Sequence, residues 1–589
     1  VISPSTPYLE FGFGPLAGQN RFTRPVQVLE AHSLGEVIPV IEQAEAATRN
    51  GLYAAGYVSY DAAPAFEAAF AVQPAGDFPL AWFGIFDGPT PSIVDHPEGV
   101  AIDAYASEQE LLEWTINRSP QEFAAEIARI REAIAAGTVY QVNHTVRMRS
   151  DFHGDGYAWW RNLCGSTPAP YSAYLHLGRF EILSLSPELF FRLENDCLTA
   201  RPMKGTRPRG RWTGEDRSLA DELRNSTKDR AENLMIVDLL RNDLGRVAAF
   251  GSVRVDRLFE IERYPTVHQM TSTISAEARP DASYADLFRA LFPCGSVTGA
   301  PKISAVRMIS ELEPDPRQVY CGAIGIMAPG RRCVFNVAIR TILVDHKSET
   351  AVYGSGGGIT WDSNAEEEYA EIQVKAAVLR SSNPTFELLE TLRLEEGVFV
   401  LERRHVERAC ASAEYFGIPL ERDALEVALA QFAGDHQTGT WRVRILISRD
   451  AAIRFERTPL ALHPNATYRA RLAQSPVSSQ DRFLYHKTTN RSVYTRHRAS
   501  APELDEVLLW NERGELTEFT TGNLVVTMGG ARYTPPIACG VLAGTLRAEL
   551  LERGEITERI LRREELADCE EIWFINSVRD WIPVTLVDA

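Results

Sequence analysis

Arg201-Pro202-Met203-Lys204-Gly205-Thr206-Arg207-Pro208-Arg209 follows a strand-like run at 189–193 and precedes an acidic helical stretch. A lysine at this place can attack carbon as an amine if a poorly solvating pocket lowers its pKa. Read alone, a lysine beside three arginines is more often a solvated loop residue, so the flanking sequence has to decide. Residues 56–61 and 80–86 read as strands. Residues 120–136 read as a helix, with Phe123, Ile127, Ile130 and Ile134 at helical spacing. Strands and helices mix without regular βαβ alternation, which favours an α+β class over a doubly wound sheet.

A chain of 589 residues is too long for one core. Small polar residues and a proline at Ser381-Ser382-Asn383-Pro384 stop a helical pattern at 365–380 and suit a linker. The expected organisation is a large domain at 1–380, a linker at 381–385 and a smaller domain at 386–589. Hydrophobic content of 45% and charged content of 24% are those of a globular protein. The net charge of −18 argues against nucleic-acid binding, although local Arg and Lys can still dominate one cleft. No run of 18 apolar residues predicts a membrane span, and the first residues lack the pattern of a signal peptide. Eight scattered cysteines without metal-type spacing read as reduced thiols of a cytoplasmic protein.

Four further segments of the first domain carry chemistry-bearing residues. They are Ser186-Pro187-Glu188-Leu189-Phe190; the run from Glu232 to Arg246; Phe292-Pro293-Cys294-Gly295-Ser296-Val297-Thr298-Gly299-Ala300-Pro301-Lys302; and Gly356-Gly357-Gly358-Ile359-Thr360-Trp361-Asp362-Ser363. The last leads into a helix on which Glu368, Glu371 and Lys375 share one face. Carboxylates from that helix and from Glu232 suit an oxygen-only cation site, Mg²⁺ rather than Zn²⁺. Such a face is otherwise a solvated one with a Glu371–Lys375 pair. The glycine run lets backbone N–H groups approach an anion, or else makes a plain turn.

In order and spacing these segments resemble the chorismate-utilising enzymes, and the resemblance covers essentially all of 1–380. It implies a mixed α/β sandwich that binds chorismate. In that family the position of Lys204 separates reaction types: lysine in aminodeoxychorismate synthases, typically alanine in anthranilate synthases. The resemblance further implies Glu188 as general acid/base and His268 as an active-site histidine. It implies Glu232 and Glu371 as direct Mg²⁺ ligands, with Glu368 acting through water. Arg340, Lys375 and the amides of Gly356, Gly357 and Gly358 become carboxylate-binding groups, with Thr298 and Tyr320 as further pocket residues. Cys294 stands where the family usually has a second glycine, a departure that bears on the backbone at that turn. No glutaminase nucleophile motif is visible, so ammonia is expected from a separate glutamine amidotransferase subunit.

The second half holds Phe386-Glu387-Leu388-Leu389-Glu390-Thr391, Arg404-His405-Val406-Glu407-Arg408, His486-Lys487-Thr488-Thr489, Glu518-Phe519-Thr520-Thr521-Gly522-Asn523 and Gly540-Val541-Leu542-Ala543-Gly544-Thr545-Leu546-Arg547. These resemble the fold-type IV pyridoxal-phosphate enzymes, which have two subdomains and include aminodeoxychorismate lyases and branched-chain aminotransferases. The resemblance implies Lys487 as the cofactor-bearing lysine and proton shuttle. Glu518 would be the partner of the pyridine nitrogen, which makes the ring an electron sink, and Arg408 a bidentate phosphate donor. Thr545, Leu546 and Ser577 supply further phosphate contacts, and a homodimer through this half is compatible.

Together the halves predict amination of chorismate at C4, then loss of pyruvate to give 4-aminobenzoate for folate synthesis. The alternatives are an anthranilate-type aminating enzyme, a second half that is an ordinary aminotransferase, or one that is a non-catalytic assembly module.

Overall fold

The computed structural model describes residues 7–15, 20–90, 112–380, 386–463 and 466–587. It divides into two compact units, Val1–Pro208 with Ala220–Asn383, and Arg209–Leu219 with Pro384–Ala589. The expected linker at 381–385 lies outside the described residues. No helix among the described residues is long and apolar enough to cross a membrane, and all eight cysteines are free thiols.

The first unit is built on two antiparallel sheets. One runs in the order Gly299–Ala300, Gln141–Asp151, Thr350–Ile359, Thr341–Asp345, Phe180–Ser186, Tyr171–His176, Tyr8–Phe11 and Asn20–Thr23, with Thr115–Ile116 beside the second strand. The other runs Met203–Pro208, Val267–Glu277, Cys197–Arg201, Leu189–Glu194, Arg332–Val337, Ala323–Ala328, Tyr53–Val58, Ala81–Phe86 and Gln27–Ala31, with Arg254–Arg263 beside Val267–Glu277. Alternation of side chains gives each sheet two faces. The inner faces meet in one core that includes Leu9, Phe11, Tyr57, Trp82, Ile182, Ile324 and Leu343. The outer faces are covered by helices. Val40, Ile41, Val237, Leu240 and Phe288 pack on one side, and Phe123, Ile127, Ile130, Ile309 and Ile372 on the other. The result is a four-layered sandwich, helix–sheet–sheet–helix, in the α+β class.

Local signals explain the helix ends. Ser119 caps helix Pro120–Ala135 with a reciprocal Glu122 capping box, and proline fills the first turn. Asn364 caps Ala365–Ala376, and its last residues tighten into a 3₁₀ turn at Ala377–Arg380. The strand expected at 56–61 is observed as Tyr53–Val58. Ser59 then accepts the Asp61 amide and starts a 3₁₀ turn, Tyr60–Ala65.

The second unit has two subdomains. Strands Val398–Phe399, Leu388–Glu395, Thr440–Ile447 and Ile453–Pro459 form an antiparallel sheet. Helices Glu402–Phe416 and Arg422–Gly434 pack on it through Val406, Ala409, Leu425 and Leu429. A mixed eight-stranded sheet follows. Its strand Leu516–Phe519 pairs with both Glu506–Trp510 and Asn523–Met528, which closes six strands into a ring. The eleven residues Arg209–Leu219 dock into this unit. Arg209 chelates Asp216, donates to Tyr415 O at 2.8 Å and lies over the Tyr415 ring. Trp212 packs against Tyr485, with ring centroids 5.2 Å apart.

Candidate active sites

In the first unit, strand Met203–Pro208 lies at the edge of its sheet and carries Lys204 into a cavity of about 240 Å³. The cavity is also lined by Glu188, Glu232, Tyr320, Arg340, Gly356, Gly357, Gly358, Glu368, Glu371 and Lys375. Ten of the residues expected here are thus gathered beside Lys204 from chain positions up to 187 apart (188 to 375). Burial lowers the Lys204 amine, opposed by Glu232 and assisted by Lys375. Burial raises Glu188 to about 7, against the Ser296 hydroxyl, Lys204 and the Met203 amide. An amine eased toward its neutral form therefore faces a carboxyl that keeps its proton to neutrality.

The glycine run is not a turn. Gly356, Gly357 and Gly358 lie within strand Thr350–Ile359, opposite Thr145, His144 and Asn143. The neighbour on the other side pairs only as far as Tyr353, so from Gly354 onward that edge has no strand beside it and lines the cavity. A Cβ on Gly358 would lie 2.0 Å from Gln141 Nε2 and 2.7 Å from Lys204 Nζ. One on Gly354 would lie 2.3 Å from the Tyr320 ring. The glycines make room for the lysine and the phenol as well as baring backbone. Lys375 Nζ donates to Gly356 O at 2.7 Å and pairs with Glu371 at 2.7 Å. Burial depresses the Arg340 guanidinium, offset by two phenols, Tyr353 and Tyr264, rather than by carboxylates. Such a cation suits an incoming carboxylate.

Two expected residues stand apart. His268 is buried on strand Val267–Glu277 and does not line the cavity, whereas its neighbour Gln269 does. Thr298 is buried behind the wall, its hydroxyl donating to Cys294 O at 3.1 Å and Gly295 O at 3.3 Å. Cys294 adopts φ −56° and ψ 136°, a conformation open to any L-residue, so this position does not require glycine.

Glu232 is raised by burial, with Asp229 and Glu368 adding to the rise and Lys204 and Lys228 opposing it. Glu368 is likewise raised by burial and by Glu371, although Ser363 donates to it at 2.7 Å. Burial also works to raise Glu371, but Lys375, Lys204 and Lys228 together outweigh it and the carboxyl is lowered. Among the described residues no three acidic, histidine or cysteine side chains close to ligating distance. An all-oxygen set of mutually repelling carboxylates nevertheless fits a hard divalent cation.

In the second unit, Lys487 lies in a segment stitched to strand Leu388–Glu395. The Leu389 amide donates to Lys487 O and the Thr489 amide to Glu387 O, both at 2.9 Å. Lys487 lines a cavity of about 560 Å³ together with Arg408, Glu518, Thr545 and Ser577. Burial lowers the Lys487 amine to about 7, assisted by Arg408 and Arg491. Burial raises Glu518 to about 8, against the Tyr494 hydroxyl at 2.8 Å, and Asn523 donates to its other oxygen at 2.9 Å. Leu546 is the second residue of helix Thr545–Glu552, where an N–H has no intrahelical acceptor. Gly544 is needed just before it, because a Cβ there would meet Asn523 Oδ1 at 1.8 Å.

Arg408 differs from the sequence expectation. Its fork is closed on Glu390, Nε to Oε1 at 2.8 Å and Nη2 to Oε2 at 2.6 Å, while Nη1 donates to Ala543 O at 3.1 Å. Glu390 also holds His405 Nδ1 at 2.7 Å. His405 Nε2 in turn faces the Ser577 and Thr545 hydroxyls at 3.0 and 3.1 Å. Sequence reasoning missed Glu390, His405, Tyr494 and, in the first unit, Ser296. The first, second and fourth stood inside segments singled out for other residues. Tyr494 carried no signal. A buried lysine and carboxyl at opposite perturbations, with hydroxyls and a helix start beside them, fit pyridoxal phosphate.

The family model for chorismate binding enzymes matches residues 17–381, and that for class IV amino-transferases matches 387–587. "Aminodeoxychorismate synthase component 1" of Salmonella typhimurium is 45% identical over 260 residues, 44% of this chain and 56% of that protein. "Anthranilate synthase component 1" of Synechocystis is 38% identical over 291 residues, 48% of this chain and 57% of that protein. The chain spans about half the length of the curated relatives it matches. The solved structure of anthranilate synthase component I from Streptococcus pneumoniae shares the fold of the first unit. Its TM-score is 0.50 at 24% identity, covering 64% of this chain and 93% of that one.

Proposed function

We propose, for a chain that belongs to the chorismate binding enzyme family and carries a class IV amino-transferase domain behind it, a two-step synthesis of 4-aminobenzoate. The first unit would replace the C4 hydroxyl of chorismate by an amino group. The second would release pyruvate and leave the aromatic ring. The observation that carries this reading is Lys204 sharing a cavity with Glu188, in space that Gly358 leaves open.

The first step is assigned as follows. Arg340 and Lys375 hold substrate carboxylates. Glu188, protonated to about pH 7, gives its proton to the C4 hydroxyl, which leaves as water. The neutral Lys204 amine adds at C2 as both ring double bonds shift toward C4. Ammonia then adds at C4, both double bonds return, Lys204 is expelled as the amine, and the Glu188 carboxylate takes back a proton from the new ammonium. Glu232 and Glu371 would hold Mg²⁺, with Glu368 acting through water, and the cation would supply a carboxylate anchor. His268 is a catalytic candidate on family resemblance alone, since it does not line the cavity. An anthranilate-type reaction brings ammonia to C2, where Lys204 stands.

In the second unit, Lys487, Glu518, Arg408, Thr545, Leu546 and Ser577 would hold pyridoxal phosphate, which when bound acts as an electron sink. Lys487, with an amine near pKa 7, is suited to take the proton from C4 and return it. Glu390 holds the Arg408 fork and His405 Nδ1, and His405 Nε2 faces the Ser577 and Thr545 hydroxyls at what would be the phosphate end. Ammonia would come from a separate glutamine amidotransferase subunit in the cytoplasm, and the second unit would support a homodimer.

The test is product analysis with chorismate, Mg²⁺ and ammonium, with and without pyridoxal phosphate. Native chain should give 4-aminobenzoate, and Lys487→Ala should accumulate the aminated intermediate. Anthranilate as product would overturn the role of Lys204. 4-Aminobenzoate from the variant would overturn that of the second unit.

A further inference from the structure

We propose that Ser296 is the positioning residue of Glu188, and that the Cys294 thiol and the Arg317 guanidinium hold Ser296 in place. The inference rests on the reading of Glu188 as the acid of the first step. Ser296 Oγ donates to Glu188 Oε1 at 2.6 Å, and both residues are buried. With Oε1 fixed as an acceptor, the carboxyl plane is set and the acid proton resides on Oε2. The serine has one proton and has given it away, so its oxygen is left to accept. Cys294 Sγ lies 3.2 Å from it, buried alongside. Burial, with Glu188 adding, pushes the Cys294 thiol up to about 12, so it remains an S–H donor at neutral pH. A glycine at this position would leave the serine oxygen without that donor.

The turn itself is clamped. Gly295–Val297 is one 3₁₀ turn, and Val297 O accepts from Arg317 Nη1 at 2.7 Å. Arg317 Nη2 donates to Asn143 O at 2.8 Å and to Glu313 at 2.7 Å. Asn143, Ser296 and Val297 all line the cavity. One buried guanidinium therefore ties two walls of the site to one carboxylate. The groups facing Glu188 are Ser296, Lys204, the Met203 amide and Cys294. A donor to the ionised carboxylate favours that form, so losing Ser296 must make Glu188 a weaker acid.

The experiment uses the full chain with Ser296→Ala, Ser296→Thr and Cys294→Ala. The Glu188 carboxyl band is identified in the infrared by difference against Glu188→Gln, and melting temperature reports folding. Ser296→Ala is expected to lower kcat about tenfold, the worth of one charge-assisted hydrogen bond, with KM for chorismate unchanged. Its Glu188 band should move to higher frequency and titrate at higher pH. Ser296→Thr should restore both, and Cys294→Ala should move the band the same way by less. An unmoved band in Ser296→Ala, or a kcat loss that threonine does not restore, overturns the proposal. An unmoved band in Cys294→Ala removes the thiol from it. Should the native chain fail to aminate chorismate, the functional reading falls, while the infrared titration still decides whether Ser296 holds Glu188.

Discussion

Glu518 and Lys487 are moved in opposite senses by one cause. Burial penalises charge, so the carboxyl rises to about 8 and the amine falls to about 7. The consequence for stability has a definite sign. Between the unfolded carboxyl pKa and about 8, the folded chain holds a proton at Glu518 that the unfolded chain has released. Without cofactor, this residue's contribution to stability is therefore lost as pH rises through that window. Glu518→Gln should flatten the slope of melting temperature against pH between about 5 and 8 relative to native protein; parallel slopes would contradict the assignment. At this scale the sequence was informative where a motif carried the residue, as with Lys204, Glu188, Glu232 and Lys487. It was silent on who touches whom. Ser296 meets Glu188 across 108 residues of chain, and Glu390 takes the fork of Arg408 that was expected for a phosphate. Such pairings follow from strand register and helix rotation, which composition and spacing do not encode.

Among the elements, strand Thr350–Ile359 shows what the glycine run is for. Its register against Gln141–Asp151 brings Gly358 beside Asn143, and the missing side chain is where Gln141 and Lys204 meet. Gly358→Ala should keep the fold, at an overpacking cost of about 1–3 kcal/mol. It should abolish amination, because the lysine must leave the place it occupies. Product formation and a thermal melt on the same sample check this; a fully active variant would mean Lys204 works from another position. That the segment would leave backbone uncovered was legible from the glycines. Its strand conformation was not, since three glycines carry no alternation of apolar and polar side chains to mark one. The helices were more legible: Ser119, Pro120 and Glu122 announce a start, and Phe123, Ile127 and Ile130 its buried face.

For the whole molecule, each unit has its own sheets, its own cores and its own cavity. The proposed intermediate passes from the first cavity to the second. If it does so through solvent, a mixture of Lys204→Ala and Lys487→Ala chains should make 4-aminobenzoate after a lag, and faster as protein concentration rises. Fusion on one chain raises the local concentration of intermediate and should shorten that lag in native protein. A mixture with no product, each variant being active in its own remaining step, would show that transfer stays within one chain. The α+β class was visible in the irregular mix of strands and helices, and more than one domain in the length of the chain. The assignment of Arg209–Leu219 to the second unit was not, because those residues continue directly from the Lys204 strand.

That eleven-residue segment bears on anyone wishing to cut the gene. A fragment beginning at residue 384 has all of its motif residues, yet it leaves behind Trp212, which packs on Tyr485, and Arg209, which covers Tyr415. Two aromatic surfaces next to His486 would be bared to water, one residue from Lys487. The second unit is therefore not a continuous stretch of sequence. Supplying residues 209–219 as a separate peptide should raise the fragment's melting temperature, and a peptide with Trp212→Ala should not.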